Sequence, residues 1–234
     1  MGEEKAKIEL LIAIVIFGVI SLIIFFKWMP SIEEILWGVF FVIWNLIMIF
    51  YVSKLVAARW NKYIARKFIH FTTGGLVAVL VPYIFKVPTI PVVGAFLMAL
   101  ITIAPRVWNR ELDWFQVKNN FGDTYFCISW GILFLIFWYI DLYIAIVASL
   151  MMAFGDGVTG IVRSIIYKKW VKGWWGTLAM LLVSLPIGYI YKGIGGVFSG
   201  IIATIIERLP YIDDNITVPA FAALTLYLLN LKPI

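Results

Sequence analysis

The sequence predicts an all-α integral membrane protein with about nine transmembrane helices, within a range of seven to ten, and a cytoplasmic N-terminus. Three observations carry this expectation. Of the 234 residues, 63% are hydrophobic and 14% charged, and mean hydropathy is +1.00. A soluble domain is about half apolar and about a quarter charged. The apolar residues fall in runs near the ~20 that a helix needs to cross a ~30 Å hydrocarbon core. The charged residues gather between those runs. This composition excludes a soluble globular protein and a disordered chain. It also excludes a disulfide scaffold, because Cys127 is the one cysteine and has no intrachain partner.

The first run, residues 8–26, is closed by Lys27. It is too long for a cleaved signal peptide and lacks a small-residue cleavage site. Further runs follow at 35–52, 71–85, 88–104, 121–140, 142–162, 175–191, 193–206 and 216–231. The third and eighth are short, which predicts tilted or partial spans. The connections are too short to hold a soluble domain, so residues 1–234 read as a single polytopic domain. No internal repeat of the kind found in many transporters is visible.

Alternating the nine runs across the membrane gives a charge test. With the N-terminus inside, fifteen of the 19 Lys and Arg residues lie on that side, in the segments around Lys5, Lys62, Arg106, Lys168 and Arg208. Lys27, Lys86, Lys192 and Lys232 lie on the other. The positive-inside rule therefore predicts a cytoplasmic N-terminus. The net charge of +6 suits anionic headgroups, and no nucleic-acid partner is expected. One Gln and one Cys fit a thermophile's composition. An archaeal source would place the chain in the cell membrane, its polar clusters facing the cytoplasm.

Three polar clusters can carry chemistry, and all fall on the expected inner side. The first is Gly155-Asp156-Gly157-Val158-Thr159-Gly160, at the end of the sixth run, leading into Arg163, Lys168, Lys169, Lys172, Gly176 and Thr177. An ionised Asp at bilayer depth needs a partner or a wet cavity. The glycines admit either a phosphate or a neighbouring helix. Four cations in ten positions can hold a polyphosphate or anchor the topology. The second is Glu207 with Asp213-Asp214-Asn215. These are hard oxygen ligands of the kind Mg²⁺ prefers, or else a solvated loop capping the last helix. The third is Arg66-Lys67-Phe68-Ile69-His70. As the sole histidine, His70 excludes a multi-histidine metal site and has a side chain suited to proton transfer or phosphate binding. No G-x-x-x-x-G-K-[ST], H-E-x-x-H, G-x-S-x-G or C-x-x-C motif is present.

Taken in order, these clusters resemble the polytopic lipid kinase family of dolichol kinase, phytol kinase and CTP-dependent diacylglycerol kinase. Arg66-Lys67-x-x-His70-x-x-x-Gly74 is similar to that family's early R-K-x-x-H-x-x-x-G. Gly155-Asp156 with the basic stretch to Gly176-Thr177 is similar to its G-D…K-S-x-x-G-[ST] nucleotide region. Glu207 with Asp213-Asp214-Asn215-x-x-Val218-Pro219 is similar to its late E…D-D-N-x-x-V-P. The likeness covers residues 59–229, so two N-terminal spans (1–52) precede a kinase-like region (53–234). The chain departs from the pattern at Gly173, where the family has Ser, and at Arg163 and Tyr167, where it usually has glycines.

The resemblance implies a kinase that moves the γ-phosphate of a nucleoside triphosphate, CTP in the family, with Mg²⁺. The acceptor would be the hydroxyl of an isoprenoid alcohol such as dolichol or polyprenol, or of a related lipid. Asp156 and His70 would be catalytic. Gly155, Arg66, Lys67, Arg163, Lys168, Lys169, Lys172, Gly176 and Thr177 would contact the nucleotide phosphates. Asp213, Asp214, Asn215 and Glu207 would hold the metal. A membrane cytidylyltransferase, which needs the same ingredients, is the alternative enzyme. A transporter or scaffold would instead place polar residues near the bilayer midplane along several spans.

Overall fold

The computed structural model describes residues 2–168, 172–209 and 212–230. It is 85% helical and has no strand among these residues. Ten α-helices follow in order: α1 Gly2–Lys27, α2 Ile32–Ile47, α3 Ser53–Arg59, α4 Lys62–Ile69, α5 Leu76–Ile84, α6 Thr89–Val107, α7 Gly122–Leu150, α8 Asp156–Ile166, α9 Trp174–Glu207 and α10 Asp214–Asn230. Three π-helical turns, Met48–Val52, His70–Gly75 and Met151–Gly155, join α2 to α3, α4 to α5 and α7 to α8 without a break. Single π turns inside longer helices are frequent at functional sites. Two of these three adjoin the predicted clusters around His70 and Asp156.

Six of the resulting helices are long and apolar enough to cross a membrane: Lys7–Lys27, Ile32–Arg59, Lys62–Ile84, Thr89–Val107, Gly122–Ile166 and Trp174–Glu207. The short third run is one of them, because α4 extends it toward the N-terminus. The two longest helices each contain two of the expected runs, interrupted by one non-helical residue. Asp141 (φ −166°, ψ 99°) divides the fifth run from the sixth, and Gly193 (φ 56°, ψ −139°) divides the seventh from the eighth.

The chain reverses at both interruptions. Gly188 and Gly196 touch backbone to backbone, and Gly200 lies against the backbone of Ser184. An uninterrupted helix would hold residues eight apart at about 12 Å. The small residues therefore line the inside of an antiparallel hairpin turning at Gly193. At the other interruption, Gly122 abuts Asp213 and Asn215, while Asp156 gathers with Asp214. A straight helix would separate Gly122 from Asp156 by about 51 Å, so the two arms return to the same end. Asp141 caps the second arm, accepting a hydrogen bond from the backbone N–H of Tyr143 at 3.1 Å. It also pairs with Lys192.

That second arm is the centre of the bundle. Ile144, Ala145, Ile146, Val147 and Ala148 are fully buried, as are Met151, Met152 and Ala153 beyond them. A helix apolar on every face belongs inside a bundle. This one delivers Asp156 to its far end. Polar contacts then sort to the two ends of the helices. At one end Ser31 and Glu34 form a capping box on α2. The Glu34 carboxylate also accepts from the Lys86 N–H at 2.7 Å, and Asn230 donates to Asp141 at 2.8 Å. At the opposite end lie Asn61, Arg66, Asp156, Glu207 and Asp214.

Candidate functional site

At the second end, three carboxylates from three separate helices converge. Oxygens of Asp156, Glu207 and Asp214 lie within 4.8 Å of one another. Asp156 begins α8, Glu207 ends α9 and Asp214 begins α10, so each sits where a helix meets a connection. Like charges this close repel, and three cations offset them one for one. Lys67 Nζ donates to Asp156 at 2.6 Å. Arg163 grips Glu207 with both guanidinium nitrogens, at 2.7 and 3.1 Å. Lys172 donates to Asp214 at 2.8 Å. The first two pairs are buried and the third is about a fifth exposed. Buried pairs of this kind persist only with good geometry, because each ion has left water.

Local packing explains how the pairs form. Gly160 leaves the space through which the Lys67 stem passes. Gly176 does the same for the Arg163 side chain. Gly155 faces Met180 and Ser184 on α9. Thr159 Oγ1 donates to the carbonyls of Gly155 and Gly176, at 2.9 and 3.1 Å, tying α8 to α9. Lys172 also donates to the carbonyls of Glu207 and Leu209, at 2.5 and 2.7 Å, and so holds the connection into α10. Asp213 accepts from the backbone and side-chain N–H groups of Asn215 at 2.9 and 2.8 Å. That places it as the cap of α10, beside the carboxylate cluster and outside it.

The remaining expected residues lie as follows. Asn215 and Asp213 share a polar cavity of about 290 Å³ with Tyr63, Lys67, Asp156 and Asp214. Thr177 Oγ1 is buried and unpartnered. Lys168 is exposed at a bend and does not line this cavity. Lys169 lies outside the described residues. Burial pushes the Asp214 carboxyl up to about 7, with Asp156 and Glu207 adding to the rise and Lys172 opposing it.

Arg66 differs from the other buried cations. It is 4% exposed, yet its guanidinium bonds to a neutral group, the Asn120 side-chain oxygen, at 2.7 Å. Among the described residues it makes no direct ion pair, although the Asp213 carboxylate lies close by, both groups bordering the position a Gly122 Cβ would take. Arg66 also lines two cavities at once. One is the polar cavity; the other is an apolar groove of about 340 Å³ between α2, α5, α6 and α7. His70, one turn further on, lines only the groove, where it stacks on Phe126 with centroids 4.1 Å apart. The Arg66-Lys67-x-x-His70 motif thus divides between the two cavities, Lys67 turning to the carboxylates and His70 to the apolar side.

Sequence reasoning missed several polar residues at this end. Asn120 orients Arg66, and Tyr63 walls the polar cavity. Asp123 accepts from Arg106 at 2.7 Å and from Gln116 at 2.6 Å, and Gln116 donates on to the Thr102 carbonyl at 2.8 Å. This buried network fixes the connection between α6 and α7. Its one local signal was an Arg, a Gln and an Asp spread over 17 positions at the edge of two apolar runs. Comparison with family models, with curated proteins and with solved structures returns no match to this chain.

Proposed function

We propose that this protein is a membrane lipid kinase that transfers the γ-phosphate of a nucleoside triphosphate, CTP by resemblance, to the hydroxyl of an isoprenoid alcohol or related lipid. The observation that carries the reading is Arg66, a buried cation with a neutral partner, placed between a carboxylate-rich polar cavity and an apolar groove. The Asp213 carboxylate lies nearby, both groups crowding the Cβ position of Gly122, but it makes no direct ion pair, and an incoming phosphate would give the guanidinium the charge-assisted, bidentate contact it lacks. Phosphoryl transfer asks a protein mainly for positioning and charge neutralisation.

In this reading Asp156 and Asp214, with Glu207 behind them, would hold Mg²⁺, whose role is to screen the phosphate oxygens. The donor set fits, since Mg²⁺ takes one or two carboxylates and completes its shell with water and phosphate. Lys67 would exchange its Asp156 contact for a phosphate oxygen, and Arg66 would hold the transferring group. The chain would cross the bilayer nine times, counting both arms of each hairpin and α10, with the carboxylate end cytoplasmic. That orientation rests on the excess of Lys and Arg at this end.

The test uses purified protein in liposomes with Mg²⁺ and γ-³²P-CTP, offering a polyprenol, geranylgeraniol and diacylglycerol separately. Label should enter the lipid fraction as a monophosphate. Asp156→Asn and Asp214→Asn should lower the rate roughly 10²–10³-fold while their melting temperatures show a folded protein. Near-normal transfer in either variant would sink the assignment. A CDP-lipid with released pyrophosphate would instead identify a cytidylyltransferase.

A further inference from the structure

We infer that Lys172 is a positioning residue, a tethered monovalent cation that clasps the two ends of the α9 hairpin to the start of α10 and aims the Asp214 carboxylate. This rests on the kinase reading for what Asp214 holds, but not for the clasp itself. Lys172 lines the polar cavity, and the resemblance groups it with the phosphate contacts; its donors decide between the two roles. An ammonium carries three N–H donors. Lys172 Nζ meets three oxygens, the carbonyls of Glu207 and Leu209 and Oδ1 of Asp214, at 2.5, 2.7 and 2.8 Å. None is left for a phosphate. Among the described residues Lys67 Nζ donates only to Asp156, which leaves it two donors for an anion.

The surroundings explain how the ammonium reaches this position. Lys172 stands just before α9, and the turn at Gly193 brings the far end of α9 back beside it. The Glu207 carbonyl is among the last of that helix, where carbonyls lack intrahelical partners and attract cations. Arg208 stacks on Trp174, its Cζ 3.6 Å from the ring centre, and ties the same two ends independently. Gly173 and Tyr167, two positions where the chain departs from the lipid kinase pattern, fit each other: the Tyr167 ring occupies the space that a Gly173 side chain would fill. Arg163, the third departure, is held by Glu207. Arg163, Tyr167 and Lys172 thus fasten α8, α9 and α10 together, and anion contact falls to Arg66 and Lys67.

Carbonyl oxygens that surround a monovalent cation also hold potassium in place of its water, so the clasp predicts chemical rescue. The experiment is hydrogen exchange of the purified protein in detergent, in choline chloride at fixed ionic strength. It is read at Arg208, Leu209, Ile216 and Thr217, whose amides are hydrogen-bonded on either side of the connection into α10. In Lys172→Ala these amides should exchange at least about ten-fold faster, the loss of one charge-assisted hydrogen bond. Replacing choline by potassium or ethylammonium should restore most of the protection in that variant and change nothing in the wild type. Lys172→Arg should stay fast, because a planar guanidinium cannot direct its donors at three oxygens around one point. The contact of Arg208 with Trp174 remains in both variants to hold the fold, and melting temperatures check it. CTP with Mg²⁺ should not speed wild-type exchange at these amides. In the transfer assay Lys172→Ala should lower kcat, potassium should recover it, and the CTP KM should stay within about two-fold of wild type. Unchanged exchange in Lys172→Ala, acceleration that neither cation reverses, or wild-type exchange sped by nucleotide would each overturn the inference. So would a raised CTP KM at constant kcat, the mark of a phosphate contact. Rescue of exchange with no phosphoryl transfer would remove the kinase reading and leave the clasp standing. Transfer in the wild type with no rescue in Lys172→Ala would do the reverse.

Discussion

Asp214 is the carboxylate whose titration reports on the site. Its pKa near 7 means that the folded protein binds a proton there that an unfolded chain releases in the ordinary carboxylate range. The sign follows directly. The contribution to stability is greatest below that range and is lost as pH rises through about 7. A metal ion must displace the proton, so apparent Mn²⁺ affinity should fall about ten-fold per pH unit below 7 and level off above it. Titration across this range checks the slope, and Asp214→Asn should flatten it. An equally steep dependence in that variant would assign the proton elsewhere. Singling out Asp156, Glu207 and Asp214 needed only the sequence, because carboxylates beside apolar runs are conspicuous. Their partners were not legible there: Lys67 and Asp156 are 89 positions apart, Arg163 and Glu207 44. Local patterning instead read Arg163 and Lys172 as phosphate contacts; the first grips Glu207 and the second is tied to three acceptors.

At the scale of helices, apolar periodicity located the runs but could not say which interruptions turn the chain around. Asp141 and Gly193 are single residues inside long hydrophobic stretches, and a lone Asp or Gly there reads equally as a kink. Only the contacts of Gly188 with Gly196, and of Gly122 with Asp213, show the reversal. The π turns at Met48–Val52, His70–Gly75 and Met151–Gly155 were equally invisible, since no residue pattern in the sequence marks them. Gly193 adopts φ 56° and ψ −139°, a region almost closed to side chains, while its Cβ position is sterically open. Gly193→Ala should therefore cost about 1–3 kcal/mol through backbone strain alone. Gly195→Ala, within the following arm and only in ordinary contact with Leu229, should be neutral or slightly stabilising. Thermal melting in detergent checks the pair, and equal melting temperatures would show that the turn tolerates a side chain.

Across the whole molecule, charge is gathered at one end and balanced there. Asp156, Glu207 and Asp214 face Lys67, Arg163 and Lys172, while Arg66 bonds to the neutral Asn120 side chain, with the Asp213 carboxylate nearby but out of direct contact. A divalent ion arriving by itself meets carboxylates whose charge is already spent, and it adds positive charge beside Arg66. A triphosphate arriving by itself meets Arg66 but also three acids. In the proposed reaction the two would offset each other: phosphate oxygens would draw Lys67 from Asp156, and the freed carboxylate would become available to hold the metal. The two ligands should therefore bind cooperatively. By linkage each raises the other's affinity by the same factor. We expect Mn²⁺ affinity, followed by paramagnetic resonance, to rise at least about ten-fold in the presence of a non-hydrolysable nucleotide, a coupling of about 1.4 kcal/mol. Lys67→Met should reduce that coupling, because Asp156 is then available before the nucleotide binds. Metal affinity that is indifferent to nucleotide in the wild-type protein would mean that the ion pairs at this end are structural ties and that the site does not exchange partners.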